Sequence, residues 1–172
     1  MLDAVDKLSK ISVELTTDNE TINKVLDNPL IYQMVNGTPY TKPFNTSFRE
    51  ELTSQGFKFL GIHSHNSLIR LNNHKSLIGL FSYREVSKIC IEAHIHILPE
   101  AHKKGYGKEA VTEGLKYFKS IGAHKIVTYV PMNCSHVLKF MKDNDFEACG
   151  SISEAIIYNN ELVSLFVFTK GL

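Results

Sequence analysis

Residues 89–122 constrain the fold of this chain more than any other stretch. Ile89, Ile91, Ala93, Ile95 and Ile97 alternate with Cys90, Glu92, His94 and His96, the period of two that gives a strand one apolar and one polar face. Pro99 ends the strand. Beyond Gly107, residues Ala110, Val111, Gly114, Leu115, Phe118 and Ile121 recur at helical spacing, and Gly122 stands where a C-terminal cap belongs. The stretch therefore reads as a strand, a turn with two glycines, and a helix that starts between Gly105 and Lys108.

Such a turn has chemistry of its own. The first N–H groups of a helix lack intrahelical acceptors and lie at the positive end of its dipole, which favours a bound phosphate. His102, Lys103, Lys104 and Lys108 surround this point with cationic or titratable side chains. Gly105 and Gly107 let the backbone approach a ligand closely. A tight turn with solvated lysines is the simpler alternative, and these residues alone leave both open.

The order of the pieces is more specific. His102-Lys103-Lys104-Gly105-Tyr106-Gly107, after a strand ending Ile97-Leu98-Pro99-Glu100 and before Lys108-Glu109-Ala110-Val111, resembles the acetyl-coenzyme A signature of the GNAT N-acetyltransferase superfamily, (Arg/Gln)-x-x-Gly-x-(Gly/Ala). Here His102 replaces the first residue and both glycines are kept. The resemblance runs on through Lys125–Val130 and Asn133 to Phe146, over about the last two thirds of the chain. It implies a mixed α/β fold: a mostly antiparallel central sheet flanked by helices, with a splayed central strand pair and a C-terminal hairpin. It also implies acetyl-coenzyme A as cosubstrate, its pyrophosphate on the loop from His102 to Lys108. The pantetheine arm would bond to the backbone at His96, Ile97 and Leu98, and Asn133 keeps the family's asparagine after the next strand.

The length of 172 residues suits one domain. Nineteen Lys plus Arg against eighteen Asp plus Glu give a net charge of +1, so no global field attracts nucleic acid or an anionic membrane. No apolar run approaches the ~20 residues of a membrane-spanning helix, and the acidic start Met1–Lys7 does not read as a secretory signal. Cys90, Cys134 and Cys149 have no Cys-x-x-Cys spacing, so neither a disulfide framework nor a zinc knuckle is expected, and a cytoplasmic setting fits.

Along the chain, Ile11, Val13 and Leu15 suggest a first strand, and Thr17–Glu20 a capping box before a short helix broken at Asn28-Pro29. Residues 31–37 read equally as helix or extended chain. Pro39 and Pro43 bracket a loop, and Ser47–Glu50 offers a second capping box. By analogy with the family, Tyr32, Tyr40 and Phe44 line an acceptor pocket, with ordinary core aromatics as the alternative. Strands are expected at Phe57–Ile62, Ser67–Leu71 and Ser76–Tyr83, in a meander with Ile89–Leu98. A strand at Ile126–Val130, a helix at Ser135–Asp143 and a hairpin at Ala155–Tyr158 and Leu162–Phe168 complete the pattern.

Acetyl transfer to an amine needs a base, and Glu92, His94 and His96 on the polar face of the central strand are the candidates. The proton for the departing thiolate is the harder part. Counting back from Phe146 to the position where many family members carry a tyrosine acid reaches Met141, and a one-residue shift reaches Phe140; neither can donate. Two readings follow: an N-acetyltransferase acting on a small-molecule or peptide amine, with a lean to peptides from the resemblance of Lys125–Asn133, and a catalytically silent protein of the same fold that still binds coenzyme A. A protein partner and a homodimer stay open. His63-x-His65 and His94-x-His96 together could hold zinc, but His63 and His65 fall in an expected turn, and no metal is expected.

Overall fold

A computed structural model of the chain describes residues 10–29, 31, 65–73, 75–158 and 161–172. Among them, seven strands form one sheet: β1 (Ile11–Thr16), β2 (His65–Leu71), β3 (Leu77–Ser87), β4 (Cys90–Ile97), β5 (Lys125–Pro131), β6 (Glu147–Tyr158) and β7 (Glu161–Gly171). Their order is β1-β2-β3-β4-β5-β7-β6. Every neighbouring pair is antiparallel except β4 and β5. The sheet is accompanied by the α-helices α1 (Asn19–Leu26), α2 (Tyr106–Ser120) and α3 (Ser135–Asp143) and by a 3-10 turn at Pro99–Ala101. This is the mixed, mostly antiparallel sheet with flanking helices that the sequence implies. The expected strand at Phe57–Ile62, the second capping box and the aromatics Tyr32, Tyr40 and Phe44 lie outside the described residues.

Alternation along the strands assigns the two faces. Ile69, Phe81, Tyr83, Ile91 and Ala93 pack beneath α2 through Ala110 and Phe118. On the opposite face, Ile22, Val25 and Leu26 of α1 cover Leu68 and Leu80. A third cluster, Val130, Cys134 and Phe168 with Leu138 and Met141, joins α3 to β5 and β7. Glycine at position 114 sets the height of α2 above the sheet, because a Cβ there would meet ring atoms of Phe81 at 2.7 and 2.9 Å. Phe81 is 4% exposed and stacks on Phe118 at 5.3 Å, so it has little room to yield. Gly114→Ala is expected to cost about 1–3 kcal/mol by overpacking, read as a lower urea midpoint at an unchanged slope.

Several boundaries differ from the sequence expectation for identifiable reasons. The N-cap of α1 is Asp18 rather than Thr17: its carboxylate accepts from the Glu20 amide and from the Thr21 hydroxyl, and the Thr21 bond chiefly holds its pKa below the usual value. β2 already includes His65, so that residue is in a strand and not a turn. β3 runs on to Ser87 because Arg84 and Glu85 pair with Glu92 and Ile91; these polar residues carry no apolar signal. β6 starts at Glu147, well before Ala155, as an exposed edge strand held by backbone pairing to β7. The end of α2 follows expectation: Gly122 has φ of 87°, and the amides of Gly122 and Ala123 close onto the carbonyls of Lys119 and Phe118.

The topology opens the sheet at its centre. β4 and β5 pair only at Cys90↔Lys125, Ile91↔Ile126 and Glu92↔Val127. Beyond these the strands part, while β5 stays paired with β7 from Lys125 to Pro131.

Candidate active site

The parting strands leave a cleft of about 820 Å³, walled by β4 and β5 and by the helices α2 and α3, within the size range of small-molecule sites. Which backbone groups face it follows from pairing parity. The Leu98 amide donates to the Ile78 carbonyl at 2.8 Å, and residues 91–97 pair with β3 in unbroken register. The peptide groups of His96 and Leu98 are thus turned to β3, and those of Ala93, Ile95 and Ile97 face the gap. An arm lying in the gap therefore meets Ile95 and Ile97 rather than His96 and Leu98.

The wide end of the cleft is the glycine loop. Gly105 is the N-cap of α2 in the left-handed region, φ 87°, and Lys103 is left-handed too, φ 59°. The amides of Lys108 and Glu109 close onto the Gly105 carbonyl. Those of Lys103 to Gly107 have no acceptor among the described residues, as in an anion-binding nest. A Cβ at Gly107 would come within 3.3 Å of the Phe140 ring, so glycine there keeps the passage between α2 and α3 open. Lys103 and Lys108 line the cleft, joined by His136 from the first turn of α3. Lys104 instead donates to the Glu100 carbonyl at 2.7 Å. His102 Nε2 donates to the Ile97 carbonyl at 2.8 Å, which pins the loop to the end of β4. Tyr106 also lines the cleft; Asn133 is exposed and does not.

The narrow end carries the titratable groups. Glu92 is 3% exposed and lies beneath the cleft surface rather than on it. Arg84 Nε donates to Glu92 Oε2 at 2.7 Å, and a terminal guanidinium nitrogen donates to the same oxygen. The other carboxylate oxygen, Oε1, lies 3.4 Å from His94 Nε2. With its carboxylate gripped by a guanidinium, Glu92 is a weak base and a good anchor. His94 and His96 both reach the cleft lining. An imidazole that gives its Nε2 proton to Glu92 keeps its lone pair on Nδ1, the form a proton acceptor needs.

The residues that line the cleft without having been sequence candidates include His136 and Tyr129. His136 sits on the amphipathic pattern of α3 without a distinguishing spacing. Tyr129, on β5, falls in a run that reads as a buried strand; only the parallel register with β4 brings it to the cleft. Burial, and then the Glu92 charge, raises its hydroxyl pKa above the usual 10.0. Met141 and Phe140 both line the cleft as apolar groups. Burial pushes the pKa of the Cys134 thiol up, an effect that the nearby Tyr158 hydroxyl partly offsets, so it is not a reactive thiolate. No group of His, Cys, Asp and Glu suited to a metal occurs among the described residues.

Comparison with known proteins bears on this geometry. The family model "Acetyltransferase (GNAT) family" matches residues 31–146. Similar solved structures include spermidine N-acetyltransferase from Vibrio cholerae in complex with CoA and spermine, at 18% identity and TM-score 0.76, over 95% of this chain and 96% of that one. A putative phosphinothricin N-acetyltransferase is 17% identical with TM-score 0.73, over 94% and 98%. An acetyltransferase (GNAT family) from Bacillus anthracis is 17% identical with TM-score 0.71, over 94% and 95%. No curated protein matches the sequence.

Proposed function

We propose that this chain, which belongs to the acetyltransferase (GNAT) family and so is an N-acetyltransferase using acetyl-coenzyme A, moves the acetyl group to a primary amine with His94 as base. The observation that carries this reading is the loss of β4–β5 pairing beyond Glu92 and Val127, directly beside a glycine loop whose amides have no acceptor among the described residues. The residues fit the cosubstrate: Lys103 to Lys108 suit a pyrophosphate, and the peptide groups of Ile95 and Ile97 suit a pantetheine amide. When bound, it supplies an activated acetyl thioester; the chain supplies placement and proton transfer.

His94 takes the proton that the amine loses, and Glu92, held by Arg84, orients the ring. The acceptor is a primary amine of a small molecule or of a peptide, and we place the reaction in the cytoplasm on the strength of the three free cysteines. Titration calorimetry with acetyl-coenzyme A and free coenzyme A, followed by a panel of polyamines and short peptides, tests the activity. The parent is expected to bind both forms of the coenzyme and to acetylate at least one amine. His94→Ala is expected to lower kcat by about 10²- to 10³-fold with unchanged coenzyme affinity. Binding without transfer to any amine would favour the silent reading, for which Met141 at the acid position is the supporting observation.

A further inference from the structure

We propose that Tyr129 gives the departing coenzyme sulfur its proton, from the strand opposite His94. The inference rests on the acetyltransferase reading and fills the role that Met141 and Phe140 cannot. Its first support is register. Glu92 and Val127 are the last paired residues of β4 and β5, and two residues beyond them stand His94 and Tyr129. Alternation puts both on the same face of the sheet, at the same level, on opposite walls of the opening gap. Both line the cleft.

The second support is availability. The Cys134 thiol donates to Asn133 Oδ1 at 3.8 Å, and Lys104 to the Glu100 carbonyl. Tyr106 and His136 belong to the first turns of α2 and α3, at the wide end beside the phosphate loop. The Tyr129 hydroxyl has no hydrogen-bond partner among the described residues. Its raised pKa keeps it protonated, a donor, throughout the neutral range.

The transfer then balances without another reactant. The amine nitrogen forms its bond to the acetyl carbon, the C–S bond breaks with its electron pair on sulfur, and the Tyr129 phenolic proton passes to that sulfur. His94 accepts the surplus proton from nitrogen and returns it, directly or through water, to the phenolate. The products are an amide and the free coenzyme thiol, and both side chains end as they began.

Binding provides the first test, with no acceptor needed. The parent is expected to bind coenzyme A about three- to tenfold more tightly than desulfo-coenzyme A, because a phenol bonded to sulfur is worth roughly that much. Tyr129→Phe should remove this difference while leaving the desulfo affinity and the thermal midpoint near those of the parent. Turnover of the same variant, on an amine that the parent acetylates, should fall about a hundredfold in kcat with the KM for acetyl-coenzyme A little changed. A kcat within about threefold of the parent, or an equal loss of affinity for both coenzymes, would overturn the assignment of Tyr129 while leaving the acetyltransferase reading intact. A folded parent that binds neither coenzyme would overturn both.

Discussion

Gly105→Glu is expected to weaken acetyl-coenzyme A binding by on the order of a hundredfold or more, with little change in stability. Position 105 has φ of 87°, and a Cβ there would meet nothing within 4 Å. The substitution therefore brings backbone strain of about 1–2 kcal/mol and no clash. A carboxylate at the N-terminus of α2 also gains from the helix dipole, which offsets part of that strain. The same favourable placement ruins the site, because the new anion occupies the field and the amides that a pyrophosphate needs. Gly105→Ala separates the two effects: it carries the strain without the charge, so its affinity should fall less than tenfold. Titration calorimetry on both variants reads this ordering. If Gly105→Glu binds like the parent, the phosphates do not rest on this loop.

Arg84→Met is expected to be the most destabilising single change around the narrow end, at about 3–5 kcal/mol. The pair it breaks is asymmetric: the Glu92 side chain is 4% exposed and that of Arg84 39%. Without the guanidinium, a buried carboxylate loses its main charge partner, whereas in Glu92→Leu the remaining guanidinium can turn to water. Glu92→Leu should therefore cost clearly less, and the double variant should recover part of the loss from Arg84→Met. Urea unfolding of the three proteins measures the ordering, and equal losses for the two single variants would contradict it. Arg84→Met should also lower kcat, since Glu92 then no longer holds its oxygen at the His94 ring.

The parts of the fold that could be read in advance are those with strong local periodicity. Residues 135–143 repeat apolar side chains at helical spacing, and the helix occupies that span. The alternation from Ile89 and the glycines after it likewise mark β4, the loop and α2. What was hidden depends on neighbours distant in sequence. Glu92, His94 and His96 look equivalent on one strand; Arg84, on the adjoining strand beyond its apolar portion, makes Glu92 an anchor and leaves His94 at the surface of the cleft. Tyr129 looks like any strand aromatic until the parallel register sets it across from His94. The choice of Ile95 and Ile97 over His96 and Leu98 depends on pairing parity with β3, which no single strand reveals.

The three residue pairs joining β4 to β5 also bear on how the molecule moves. Strands β1 to β4 form one leaf of the sheet and β5 to β7 another, each laced internally along most of its length, and the seam between them is short. The cleft is the angle between the leaves. A coenzyme bound as proposed above would act as extra stitching across that seam. Occupancy should therefore stiffen the two leaves against each other and raise the stability of the whole sheet by mass action.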